Sequence, residues 1–338
     1  MILRSWFDGL DRVRRAPAVL AGVFVLTLIA ALPLAIAMRG LIHAHLGSSL
    51  AAGAAADAVN YDWWQEFSSQ TSGIGTTFTP AVIGFASTLD SLSSVLDARA
   101  EVAPVAGALA TYLVMWTFLS GGILDRYARQ RPTRAPGFFA ACGVYFWRFL
   151  RLIVVAGAAY WALFAYVHEW LLADAYEWLI VDVSVERAAF LWRLGLYAVF
   201  GAALAAVNIT IDYAKIRLVV EDRRSAIGAL SAALGFLGRN PGRAAGLYAL
   251  NGLVFLGLIA VWALVDPGAG GAGPSMWMGF AATQLYLLAR LALKLQFMAS
   301  QTALFQRSLA HADYTAAPLP QWPDSPAAET IPVTTATY

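Results

Sequence analysis

Two runs of 23 residues, 16–38 and 102–124, contain no charged side chain. At about 1.5 Å of rise per residue, each helix would reach about 35 Å, enough to cross a hydrocarbon core about 30 Å thick. Inside such a core every backbone N–H and C=O must be bonded within the chain, so runs of this kind fold as helices. The rest of the sequence agrees. The chain is 59% hydrophobic and 13% charged, whereas a soluble domain carries about 25% charged residues. Its charges cluster in the gaps between apolar runs.

The expected fold class is therefore all-α: a polytopic membrane helix bundle with six transmembrane helices, amphipathic interfacial helices and a small outer helical cap. The spans are expected at 16–38, 102–124, 152–167, 188–211, 244–265 and 276–305, the last five forming a five-helix remainder over 102–308. Residues 1–15 place Arg4, Arg12, Arg14 and Arg15 among Trp6, Phe7, Leu10 and Val13. That pattern reads as a basic amphipathic segment on the cytoplasmic surface. A secretory signal is the rival reading, since Ala35-Ile36-Ala37 resembles a cleavage site, but the apolar run is long for a signal core.

The outer cap is expected over 40–101. Val82, Phe85, Leu89, Leu92 and Leu96 recur at helical spacing, which predicts an amphipathic helix over 81–98. Residues 136–151 and 168–186 read as interfacial helices flanking the third span, and 225–243 as another amphipathic surface segment. From 309 to 338 the chain is rich in Ala, Pro and Thr, and a disordered cytoplasmic tail is expected. The N-terminus and the connections after the second and fourth spans are strongly basic. By the positive-inside rule these face the cytoplasm, and six spans return the C-terminus to the same side.

Two blocks share a plan: a span exits through an acidic-basic cluster, a surface segment follows, and a new span begins after an arginine. The blocks are Asp125-Arg126-Tyr127-Ala128-Arg129 to Arg151, and Asp212-Tyr213-Ala214-Lys215 to Arg243. Both run in one direction, as a parallel repeat would. Gly121-Gly122-Ile123-Leu124-Asp125-Arg126, Tyr145-Phe146-Trp147-Arg148-Phe149-Leu150-Arg151, Asp212-Tyr213-Ala214-Lys215-Ile216-Arg217 and Gly238-Arg239-Asn240-Pro241-Gly242-Arg243 resemble bacterial six-helix membrane domains of unknown function. They are also similar to the membrane domain fused to some glycerophosphodiester phosphodiesterases. The resemblance covers about residues 100–308 and implies architecture alone. No stretch reads as the phosphodiesterase catalytic domain, so no catalytic residue is implied. Residues 40–101 depart from the pattern. The expected location is a bacterial inner (plasma) membrane.

Candidate chemistry is sparse. Thr283, Tyr286, Arg290, Lys294 and Gln301 follow one another at steps of 3, 4, 4 and 7, along one helix face. A membrane-embedded charge faces a partner or a watery cavity, or snorkels to the interface. Asn208, Asp212 and Lys215 share a face of the fourth span, so Asn208, Asp212, Lys215, Arg290 and Lys294 form a candidate polar network. His43, His45 and His168 are weak metal candidates on the expected outer side. Tyr61, Trp63, Trp64 and Phe67 are a candidate outer interface, since Trp and Tyr favour the membrane–water boundary. Cys142 is the single cysteine, which excludes an intrachain disulfide. No cofactor is expected, and a net charge of +2 gives no reason to expect a nucleic-acid partner. Membrane lipids and other membrane-protein subunits are the expected partners. The expected role is a non-enzymatic structural or accessory protein, with a transporter using a polar site between the fourth and sixth spans as the alternative.

Overall fold

The computed structural model describes residues 1–47, 49–57, 60–78, 93–94, 96–98, 103–265 and 273–310. Among them all regular structure is helical. The α-helices are α1 Ile2–Arg14, α2 Pro17–Leu46, α3 Ala52–Asp57, α4 Tyr61–Gln70, α5 Ala103–Arg129, α6 Ala135–Ala162, α7 Tyr176–Ile180, α8 Glu186–Val220, α9 Ala226–Arg239, α10 Pro241–Val265 and α11 Pro274–Ala310. By helix length and hydropathy the chain is a multi-pass membrane protein. Among the described residues five helical runs are long and apolar enough to cross a bilayer: Pro17–Leu46, Ala106–Arg129, Ala135–Ile180, Glu186–Val220 and Pro241–Val265. The expected sixth span falls in α11, which has 37 residues but is not among those five. Its Thr283, Gln284, Arg290, Lys294, Gln296, Ser300 and Gln301 lower its hydropathy.

Two boundaries differ from the sequence reading. The first span's helix continues past Met38 to Leu46 through Arg39, His43 and His45. No proline lies between Met38 and Leu46, and the single glycine there, Gly40, disfavours a helix by only about 1 kcal/mol. Residues 136–151 and 152–167 were expected as separate helices, but they lie in one unbroken run, Ala135–Ile180. Aromatic and aliphatic residues continue through Trp147-Arg148-Phe149 without a glycine or proline, so the backbone ladder has no interruption. Leu163–His168 and Trp170–Ala175 are π-helical turns within it. The expected helix 81–98 lies largely outside the described residues, and so does the tail beyond residue 310.

The chain divides into two compact units. The first comprises Met1–Arg15, Thr117–Ala249 and the chain from Gln296; the second comprises Ala16–Trp116 and Leu250–Leu295. In the first, Phe149, Leu152, Tyr213, Leu218, Phe236 and Phe305 are core residues. Helix α9 joins this core through Ala229, Ala233 and Phe236. Two alanines one turn apart offer little bulk, so the helix can lie close to its neighbours. Ser225 caps it by accepting from the Gly228 amide at 3.1 Å, and Pro241 opens the next helix, where its missing N–H costs nothing. Gly121 and Gly122 permit a second close approach. A Cβ on Gly122 would lie 2.6 Å from Cys142 Sγ, and one on Gly121 2.9 Å from Tyr145 Cβ.

Helix α1 is two-faced, as the pattern over 1–15 leads one to expect, and one of its faces is packed inside the first unit. Ser5, Gly9, Arg12 and Val13 are buried, at spacings that align them on one helix face. The opposite side keeps Leu3, Arg4, Phe7, Arg14 and Arg15 exposed.

In the second unit, many apolar side chains of α2 face outward, including Leu28, Ile29, Leu32 and Ile36. That is costly in water and costless in lipid. Helix α4 begins at Asn60, whose side chain accepts from the Trp63 amide at 3.0 Å. The helix then buries Trp63 and Phe67.

Candidate functional site

Helix α5 ends at Arg129, so the carbonyls of its last turn have no partner within the helix. Gln130 follows in the left-handed region, with φ 53°. Two side chains from elsewhere in the first unit reach the free carbonyls. Arg12 Nη1 donates to Tyr127 O at 2.9 Å, and Gln306 Nε2 donates to Ala128 O at 2.9 Å. Arg12 also donates to Gln306 Oε1 at 2.7 Å and to Asp8 Oδ1 at 3.1 Å. A guanidinium is well matched to a helix C-terminus, where the peptide dipoles present negative charge. Asp8 closes the arrangement by accepting from Arg307 Nε at 3.2 Å. Nearly three turns earlier on α11, Gln296 Nε2 donates to Trp6 O at 2.8 Å. Burial alone would raise the Asp8 carboxyl. The hydrogen bonds and charges of Arg12 and then Arg307 outweigh it and hold the group below its ordinary value of 3.8.

Sequence reasoning missed this junction of α1, α5 and α11. Its signals were present: Asp8 and Arg12 one turn apart, Ser5 and Gly9 as small residues on the same side, and glutamines at 296, 301 and 306 of a long apolar helix.

The five expected network residues fall in different units. Asn208, Asp212 and Lys215 belong to the first, Arg290 and Lys294 to the second. In the first unit, Asn208 joins three helices: its Oδ1 accepts from Tyr160 OH at 3.4 Å, and its Nδ2 donates to Tyr248 OH at 2.9 Å. One turn on, Asp212 pairs with Lys215 at 3.5 Å and accepts from Gln301 Nε2 at 3.5 Å. Both are long contacts for a carboxylate, and Asp212 and Lys215 are each partly open to their surroundings. Tyr160 and Tyr248 had not been singled out. In the second unit, Lys294 Nζ lies 3.5 Å from the Trp116 ring centre, and the Arg290 guanidinium 5.6 Å from that of Tyr286.

His45 and His168 are placed by aromatic neighbours. Trp63 Nε1 donates to His45 Nδ1 at 3.0 Å, and His45 packs edge-on against Phe67. His168 lies against Phe164 and Phe200. His43 and His45 belong to the second unit and His168 to the first. Among the described residues no group of three His, Cys, Asp or Glu side chains could hold a metal. Of the candidate outer interface, Trp63 and Phe67 are buried and Tyr61 is exposed. Trp64 Nε1 donates to Phe78 O at 2.7 Å, so this aromatic run ties its own segment together.

Comparison of the chain with family models, with curated proteins and with solved structures finds no match. The sequence and fold together identify a multi-helix, membrane-like protein and no narrower family.

Proposed function

We propose that the chain is a non-enzymatic integral membrane protein acting as a structural or accessory component of a membrane complex or of its lipid environment. The observation that carries this reading is the use of its buried and half-buried polar groups. Arg12, Gln296 and Gln306 each donate to a backbone carbonyl of another helix. Groups spent in this way fix helix positions, which suits a scaffold. In this reading α11 serves as a sixth span and both termini lie in the cytoplasm of a bacterial inner membrane. The basic segments favour that orientation. The pattern-level resemblance to bacterial six-helix membrane domains points the same way. Purification from native membranes into nanodiscs, followed by mass spectrometry, tests the role. Protein partners in stoichiometric amount are expected; a chain that purifies alone and moves a solute across vesicles contradicts it.

The second reading is a transporter with a polar site between α8 and α11. It is favoured by one observation, the partly open Asp212, held loosely by Lys215 and Gln301 beside Asn208. Asp212→Asn would abolish solute flux under this reading and leave partner retention unchanged under the first.

A further inference from the structure

Arg290 and Lys294 sit one turn apart on α11, and both are exposed. Their neighbours are aromatic. Lys294 Nζ lies 3.5 Å from the Trp116 ring centre and 5.1 Å from that of Tyr112. It also reaches the Tyr112 hydroxyl at 3.4 Å. The Arg290 guanidinium stands beside Tyr286, and Tyr286 in turn is stacked on Trp262 with ring centres 4.5 Å apart. An aromatic face orients a cation but supplies no formal negative charge. Among the described residues no ion pair engages Arg290. Arg290 therefore carries its positive charge beside an aromatic wall.

Depth selects the kind of anion. Counted along the helix from Pro274, Arg290 lies about 24 Å in and Lys294 about 30 Å in. With a hydrocarbon core about 30 Å thick, that is where acyl chains give way to headgroups. The surface on the hydrocarbon side is apolar and open. Leu109 and Leu113 flank Tyr112 on α5 and are 59% and 51% exposed; Leu109, three residues before Tyr112 and seven before Trp116, shares their side of the helix. Two cations at phosphate depth with exposed leucines on the chain side match a phospholipid. A free anion would use only the polar half of this surface.

We propose that Arg290 and Lys294 bind the phosphate of an anionic phospholipid, with Tyr112 and Trp116 holding the lysine and Leu109 and Leu113 lying against the acyl chains. This rests on α11 crossing the membrane. The test uses the full chain in detergent, titrated with phosphatidylglycerol, phosphatidylcholine or inorganic phosphate and followed by native mass spectrometry. The wild type is expected to retain one phosphatidylglycerol at a concentration about tenfold lower than phosphatidylcholine, since each basic residue adds to anionic-lipid attraction. Arg290→Gln with Lys294→Gln is expected to abolish that preference. The charge-keeping pair Arg290→Lys with Lys294→Arg is expected to preserve it, which separates lost charge from lost folding. Equal retention of the two lipids by the wild type overturns the proposal. So does a preference that survives the double glutamine variant or vanishes in the charge-keeping pair, and so does displacement of phosphatidylglycerol by millimolar inorganic phosphate. A C-terminal reporter is read separately. If it scores outside the cytoplasm, the sixth span fails, whatever the lipid result.

Discussion

Gly9 of α1 and Ser300 of α11 meet with no room for a side chain between them: a Cβ on Gly9 would lie 2.7 Å from both the Cα and the N of Ser300. The obstacle is helix backbone, which cannot rotate away as a flexible side chain could. Gly9→Ala is therefore expected to push α1 off α11, costing about 1–3 kcal/mol as overpacking does. Thermal unfolding in detergent checks this. Gly107→Ala, where an added Cβ meets nothing within 4 Å, is the control and is expected to change little.

Arg12 is the polar centre of the same contact. Its guanidinium is almost fully buried and serves Tyr127 O, Gln306 and Asp8. Arg12→Ala leaves the carboxylate of Asp8 and a helix-end carbonyl short of a donor, and is expected to cost about 3–5 kcal/mol. The double change Asp8→Asn with Arg12→Gln is expected to cost less than the sum of the two single changes, because the partners are coupled. Unfolding midpoints of the four proteins give the coupling directly.

The Asp8 carboxyl also sets an acid limit. Its folded value lies below the ordinary 3.8, so the folded state binds this proton less readily than the unfolded chain does. The resulting stability is fully present above about pH 4 and fades as the pH falls below that toward the folded value. Melting temperatures measured from neutral pH down to pH 3 are expected to show a descending limb below pH 4. Asp8→Asn is expected to flatten it.

Two tyrosines carry hydroxyls that gain nothing. Tyr127 and Tyr213 are fully buried, and neither OH has a hydrogen-bond partner among the described residues. A buried hydroxyl without a partner costs stability, whereas a ring of the same shape without it does not. Tyr213→Phe and Tyr127→Phe are each expected to be neutral or stabilising by about 1 kcal/mol. A fall in unfolding temperature for either would contradict this.

How much of the fold was legible in the sequence depended on the kind of signal. The spans around 16–38 and 102–124 were plain, because an uncharged run of that length has few other fates. The continuity of Ala135–Ile180 was obscured, because Arg148 and Arg151 look like a membrane boundary. Arg148 instead pairs with Asp222, a partner 74 residues away that no local pattern reveals. The burial of Arg12 was hidden for a similar reason. An arginine on an amphipathic helix suggests a wet face, and only the free carbonyls at the end of α5 explain why it turns inward. The Asn208–Asp212–Lys215 face was visible as a helical period. Its partners Tyr160 and Tyr248 lie on other helices, and nothing local in the sequence links them.

Polar side chains lock α1 to α11, making residues 2–14 and the 296–307 stretch of α11 one packed element. Amide hydrogen exchange of the full chain in nanodiscs tests it most directly. The account predicts that residues 2–14 are protected as strongly as the core segment around Tyr213, and that Arg12→Ala releases 2–14 and 300–310 together. Rapid exchange of 2–14 in the wild type, or release of 2–14 alone in the variant, would contradict it.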